Sequence, residues 1–338
     1  MNSKRRFLHL LICVAVILMS ASCSVNRFIP EGSYLLERVS ISADSSGFNT
    51  QPLQGFVRQH PNSRWFSAIP VPLSVYCLSG TDSTRRFNRF LRRLGEAPVI
   101  YDSLQSMRTC NNMEQAVRGM GYLNAHVIRK ERIRNNRLRL RYEVHPGDIY
   151  RVTHLEVDIQ DSMLSQRLQE ENAMPSLSEG MNFDLNVLDA ERGRISSALA
   201  NKGYYRFNKD YIRFEADTTI GHHQVDLRMK ILPYHITASQ DTILHSQYSI
   251  NKVSFLADTT QSGRPFLRHK VLMETSRLEP GQIYRESDVQ ETYAHMIRLG
   301  GVLSTNVRLH PSATDSTALD ADILLTRGKR NSFSVEVE

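Results

Sequence analysis

Tryptophan occurs once and cysteine four times in these 338 residues, and no apolar run is long. The run Phe7 to Met19 covers 13 residues, whereas a helix crossing the ~30 Å hydrocarbon core needs roughly 20. A permanent membrane-spanning helix is therefore the poorer reading of that segment. Catalytic signatures are missing as well. There is no His-Glu-x-x-His, no Gly-x-Ser-x-Gly and no glycine-rich phosphate loop. The 12 histidines are scattered. His222-His223 falls between two strand-like runs with Asp217 nearby, where a solvated turn is a plainer reading than a metal site. No catalytic, cofactor-binding or metal residue is assigned, and the chain is not expected to be an enzyme.

What the N-terminus does contain is an export signal. Lys4-Arg5-Arg6 precedes the apolar run, and Ser20-Ala21-Ser22-Cys23 follows it. Basic head, short apolar stretch and small residues make a secretory signal over residues 1–22. Leu18, then small residues, then cysteine resembles the bacterial lipobox, with Cys23 as the first mature residue and the site of lipidation. The alternative is an ordinary cut that leaves Cys23 an incidental thiol. Several acyl chains on one residue anchor stably where one chain is marginal. Cys13 leaves with the signal. Cys77 and Cys110 then either pair, as an oxidising compartment permits, or stay free.

The net charge of +7 conceals an asymmetry. Residues 58–141 hold 16 Lys/Arg against 5 Asp/Glu. In a cytosolic protein such a stretch suggests nucleic acid. Outside the cytoplasm it points instead to phospholipid or lipopolysaccharide head groups or to acidic proteins, with a merely solvated face as the alternative. No nucleic-acid partner is expected.

Periodicity organises the mature chain. Phe87, Phe90, Leu91 and Leu94 form an i, i+3, i+4, i+7 stripe between arginines, with Asp82-Ser83 as N-cap candidates and Gly95 as the stop. Met113, Val117 and Met120 mark a second helix ending near Gly121. The period then becomes two: Ala125 and Val127, a turn at Asn135-Asn136, then Leu138, Leu140, Tyr142 and Val144 opposite arginines. That is a hairpin with one buried face. The same order returns with Leu155, Val157 and Ile159, a helix over 163–171, a stripe of Leu188, Ile195 and Leu199 to Gly203, and strands over 211–216 and 225–231. It returns again from Ile250, Val253 and Phe255, a helix near 267–274, a stripe of Val289, Tyr293, Met296 and Ile297 to Gly300, and strands over 305–309 and 321–325. The closing glycines are spaced by 82 and 97 residues, so the chain reads as an array of small domains. The fold class is α+β, about three tandem strand–helix–helix–strand–strand units, each a sheet with both helices on one face.

Units of this order, each with a helix-ending glycine, resemble POTRA domains, the periplasmic repeats of the BamA/TamA superfamily of outer-membrane proteins. Lipid-anchored TamA-like proteins of Bacteroidetes are the nearer match. The stretches carrying the resemblance are Cys23 to Glu37, His60 to Leu73, Asn88 to Tyr101 and Pro146-Gly147-Asp148-Ile149-Tyr150. It divides the chain into a signal peptide (1–22), a first repeat with the lipidated N-terminus (23–147), a second (148–235), a third (246–330) and the start of a barrel (331–338), where Phe333, Val335 and Val337 alternate with polar residues. A whole barrel needs at least eight strands, so the chain reads as the N-terminal part of a longer protein with its barrel missing.

The resemblance implies a periplasmic arm, lipid-anchored at the outer membrane. That arm would bind unfolded outer-membrane proteins, or periplasmic or inner-membrane assembly partners, and deliver clients to a C-terminal barrel. The arm of a dedicated two-partner secretion porter is the alternative, and an envelope lipoprotein enzyme the weaker one. The resemblance also puts the strand after each second helix at a sheet edge. These are residues 122–132, 205–216 and 303–309, with Val127, Arg213 and Val307 as candidate client-binding positions. Edge charges such as Arg129, Lys130, Lys209, Arg213 and Arg308 discourage self-pairing.

Overall fold

The computed structural model describes residues 25–65, 69–80, 82, 84–170, 173–235, 242–257 and 266–328. The signal segment, Cys23 and residues 331–338 lie outside the described residues. The chain forms two compact units, Met1–Tyr150 and Arg151–Glu338.

In the first unit, β1 (Leu35–Ala43), β2 (His126–Arg134) and β3 (Arg137–His145) form a sheet in the order β1–β3–β2. β3 runs parallel to β1 and antiparallel to β2. The two-residue connection sets the hairpin. Asn135 and Asn136 take φ of 51° and 61°, the paired positive values of a type I′ turn, which asparagine tolerates. Leu138, Leu140, Tyr142 and Val144 are buried in alternation with Arg139 and Arg141. Onto them packs a helix, Ser103–Gly119, whose first turn is capped by Asp102 accepting from Leu104 N and Gln105 N. Its Met113 and Val117 are fully buried.

The helix expected over 87–94 is present but does not line this core. The inward place is taken by a 3₁₀ segment, Gln51–Phe56, whose Leu53 is fully buried with the neighbouring Val57. Residues 71–94 instead make a separate helical pair, α1 (Val71–Cys77) and α2 (Arg86–Leu94), with Ser103–Gly119 following as α3. Asn88, Leu91 and Arg92 are the partly covered residues of α2, while Phe87, Phe90 and Leu94 are 68%, 56% and 61% exposed. The α1–α2 contact fixes this rotation. Glu96 N donates to Pro72 O at 3.0 Å, and a Cβ on Gly95 would stand 2.4 Å from Tyr76 N. The N-cap also differs from expectation. Arg85 occupies it with no side-chain capping bond, and the Asp82 carboxylate instead accepts from Thr84 and from Arg85 Nε; Ser83 is not among the described residues.

The second unit holds two more three-stranded sheets. The first is β4 (Arg151–Ile159), β5 (Ile212–Asp217) and β6 (Gln224–Ile231), ordered β4–β6–β5, with α4 (Ser162–Glu170) and α5 (Leu185–Ala200). Leu188, Ile195 and Leu199 of α5 are buried as their stripe predicts. A short hairpin follows, β7 (Tyr234–His235) with β8 (Thr242–Ile243). The other sheet is β9 (Ser249–Ala257), β10 (Val302–Pro311) and β11 (Ala318–Arg327), ordered β10–β11–β9, with α6 (His269–Thr275) and α7 (Glu286–Met296).

In α7 the expected stripe is only half realised. Met296 is buried, but Tyr293 and Ile297 are exposed, and Thr292 points inward in their place. Its hydroxyl accepts Arg277 N at 2.9 Å and donates to Asp288 O at 2.7 Å, so the polar group is satisfied.

Each sheet thus has its last strand in the middle, parallel to the first and antiparallel to the second. Gly121 and Gly203 both have φ of +97°, the left-handed geometry that ends a helix and turns the chain toward its edge strand. In the last sheet that conformation belongs to Gly301 (φ +89°) rather than Gly300. Helix α7 stops at Met296, and turns intervene before β10. Among the described residues no helix is long and apolar enough to cross a membrane.

Candidate functional site

An edge strand offers a partner only those backbone groups that face away from its own sheet, and in an antiparallel ladder these come from every second residue. The central strands fix the phase. Val144 O accepts Asp44 N on the β1 side, so Val127 opposite it faces outward from β2. Both of its groups are engaged, however. Val127 N donates to Glu114 Oε2 at 3.2 Å, and Cys110 Sγ donates to Val127 O at 3.1 Å. Helix α3 thereby covers the start of β2. The outward residues further along are Arg129, Glu131 and Ile133, whose backbone groups meet no partner among the described residues.

Arg213 in β5 faces the other way. His223 O accepts Arg151 N on the β4 side, so Lys230 of β6 turns toward β5 and exchanges backbone bonds with Arg213. The outward residues of β5 are Ile212, Phe214 and Ala216, and Ile212 N is already bonded to Lys209 O. Alongside this edge lies a groove of about 590 Å³, lined by Leu185, Leu188 and Arg192 of α5 and by Ile212 to Glu215.

Val307 in β10 faces outward with its backbone unengaged, as does Thr305. The next outward residue, Leu309, gives its carbonyl to Tyr205 Oη at 3.2 Å. The edge strands are also displaced from expectation. The described β2 begins at His126, and residues 205–211 form turns and a 3₁₀ segment before β5.

The outer face of the first sheet is strongly basic. A polar hollow of about 460 Å³ is lined by Asn26, Glu37, Arg132, Arg134, Asn135, Arg137 and Arg139. Hydrogen bonding from Arg139, against a partial burial that works the other way, holds the Glu37 carboxyl below the usual range, with Arg137 adding to the effect. Cys77 is buried and Cys110 half-buried, and burial pushes the Cys110 thiol up. His222 and His223 take positive φ in the turn between β5 and β6. Among the described residues no three His, Cys, Asp or Glu side chains gather as a metal site would need.

No family model and no curated protein matches the sequence. Among solved structures, the chain is similar to the third to fifth POTRA domains of BamA from Haemophilus influenzae, at 12% identity over 88% of this chain and 99% of that one, with a TM-score of 0.45. It is similar to POTRA domains 1–3 of Omp85 from Anabaena at 14% identity, over 89% and 98% of the two chains, with a TM-score of 0.26. CdiB from Acinetobacter baumannii matches at 13% identity over 54% of this chain and 31% of that one, with a TM-score of 0.24. The described chain carries three sheets of one topology in sequence, each with its last strand central; two helices lie between the first and second strands of the later sheets, and three helices with a 3₁₀ segment lie between β1 and β2.

Proposed function

We propose that this chain is the periplasmic arm of an outer-membrane protein assembly or translocation factor. It holds unfolded outer-membrane proteins, or partner proteins, by strand addition and passes them to a C-terminal barrel, with acylated Cys23 keeping the arm at the membrane. The observation that carries this reading is the outward, unengaged backbone of Thr305 and Val307 in β10, of Phe214 beside the β5 groove and of Ala216 beyond it. Strand addition draws affinity from main-chain bonds and asks little of the client's sequence. Two or three outward residues supply about four to six bonds, each contributing about 1 kcal/mol net. Association at one such edge is therefore weak and reversible, as handing over requires.

Photo-crosslinking residues at Phe214, Val307 and Glu131 test the reading against Arg141 and Arg228, which lie on the exposed faces of central strands. Unfolded outer-membrane proteins are expected on the edge positions. Equal crosslinking at the central-strand positions rejects strand addition.

A further inference from the structure

Helix α2 is the least buried helix of the first unit, and its exposure is one-sided. Of its nine residues none is buried. Phe87, Phe90 and Leu94 project along one face with more than half of each side chain exposed. Turning 100° per residue, Phe90, Leu94 and Phe87 fall within about 60° of arc. Arg86, Arg93 and Arg89 take the adjacent arc, all exposed, and none of the three is paired with a carboxylate among the described residues. An apolar stripe bordered by unpaired guanidiniums is the pattern of a helix lying in a lipid head-group layer. The helix carries no carboxylate at all, so its charge is of the single sign that an anionic head-group layer attracts.

The attachment of α2 gives the second observation. Arg92, on its inner side, sits over the rings of Phe28 and Tyr76 at 5.8 and 5.7 Å and donates to Gly80 O at 2.9 Å. Phe28 belongs to the 3₁₀ segment Val25–Phe28, and Val25 is buried with Leu73, Cys77 and Leu35. The helical pair is therefore fastened to the residues that begin two positions after Cys23. Ile69 and Trp65, just ahead of α1, are exposed too, and tryptophan favours the lipid–water boundary.

We propose that α2 is an interfacial membrane-binding helix. Its Phe87, Phe90 and Leu94 enter an anionic phospholipid surface while Arg86, Arg89 and Arg93 bind the lipid phosphates. The helix works beside the acylated N-terminus and holds the first unit flat against the bilayer. The envelope placement rests on the function proposed above, but the binding chemistry does not.

The test uses the chain from Ser24 onward, which keeps every described element and carries no acyl site. Flotation with vesicles of phosphatidylcholine mixed with phosphatidylglycerol is compared with phosphatidylcholine alone. Trp65, the only tryptophan, reports insertion by a blue shift of its emission. Binding is expected to the anionic vesicles, falling as salt rises. It should drop about tenfold or more both for Phe87→Ser/Phe90→Ser/Leu94→Ser and for Arg86→Glu/Arg89→Glu/Arg93→Glu. The substituted side chains are exposed, so circular dichroism should match the parent. Binding that survives either triple substitution, or no binding at low salt, overturns the proposal. So does self-association lost with the serine variant, which makes the stripe an interface between copies. Because Cys23 is absent throughout, a failure here is separate from a failure of lipidation, and client crosslinking to Val307 is read independently of both.

Discussion

Gly203 is where the most can be lost for one added methyl. Its φ of +97° is a conformation an L-residue enters at a cost of about 1–2 kcal/mol. A Cβ there would also stand 2.9 Å from Ile283 Cγ2 and 3.3 Å from Tyr248 O, against an ordinary contact of about 3.5–4.0 Å. Ile283 is half exposed and can turn its methyl away. The Tyr248 carbonyl cannot, because it accepts Tyr284 N at 2.9 Å while Tyr248 N donates to Gly203 O at 2.8 Å. Overpacking of that kind costs about 1–3 kcal/mol, and the mobility of Ile283 puts it near the low end. Gly203→Ala is thus expected to cost about 2–3 kcal/mol in all. Gly301→Ala supplies the comparison. Its φ is +89° but nothing lies within 4 Å of the added atom, so only the strain of about 1–2 kcal/mol remains. Trp65 lies in the other unit, so fluorescence does not report this region, and hydrogen exchange of β9 and residues 203–207 is the assay. At about 1.4 kcal/mol per tenfold, the excess for Gly203→Ala should speed exchange there by roughly three- to tenfold over Gly301→Ala. Equal rates in the two variants would refute the close approach of Gly203 to Tyr248.

Glu191 is buried and accepts from Ser176 N, Ser176 Oγ and Arg194. Burial pushes its carboxyl up, but the Arg194 and Ser176 bonds outweigh it and the value lies below the ordinary one. Its stabilisation is therefore complete above the unfolded value near ~4.3 and lost as pH falls through the folded one. Because the Arg194 left behind is partly exposed, Glu191→Ala should cost about 1.5–3 kcal/mol at neutral pH in urea unfolding. His245 is held neutral by burial, with a bond to Leu232 O partly opposing the downward shift. Its contribution is complete above the unfolded value of ~6.5 and decays as pH falls toward the lowered folded value. His245→Leu should flatten the stability profile between those limits. Finally, incorporation of an alkyne fatty acid should occur in the parent and vanish in Cys23→Ala; equal labelling of both would rule out acylation there.

Period and punctuation made much of the fold legible. The alternation from Leu138 to Val144 gave the buried face of β3, and Asn135-Asn136 gave the turn. Even the outward phase of β2 was readable, because a two-residue hairpin closes on a hydrogen-bonded pair, Arg134 with Arg137, and every second residue from there faces out. What the sequence did not reveal was that Glu114 and Cys110, 13 and 17 residues from Val127, reach across from α3 to cover it. Strand phase in β5 was hidden for another reason: the longer loop at 218–223 leaves its register to the partner strands. The stripe of α2 was legible as amphipathic, but not that Phe87, Phe90 and Leu94 would face outward. Periodicity says that a helix has two unlike faces, but only packing decides which one the protein covers. Gly95 pressed against Tyr76 decided it here.

The three sheets share one topology but offer unequal edges, and the inequality follows from what each neighbouring segment does to the outward backbone. In β2 the first outward residue is covered by α3, and the open residues Arg129, Glu131 and Ile133 alternate with Lys130, Arg132 and Arg134. In β5 the 3₁₀ segment takes Ile212 N, which leaves Phe214 beside the groove of α5 and Ala216 beyond it. In β10 Tyr205 takes Leu309 O and leaves Thr305 and Val307. Each open stretch is two or three residues, too few for a lasting complex by main-chain bonds alone, since ordering an extended client offsets part of their gain. Short stretches repeated on one chain act differently from a single long edge. On the function proposed above, a client released from one would be held near the others at an effective concentration set by the tether, so several weak contacts would retain it without any one of them trapping it. The same shortness limits the danger of an exposed edge, because two or three open residues with charged neighbours, Lys130 and Arg132 in β2, Arg213 and Glu215 in β5 and Arg308 in β10, are a poor template for pairing one such edge with another.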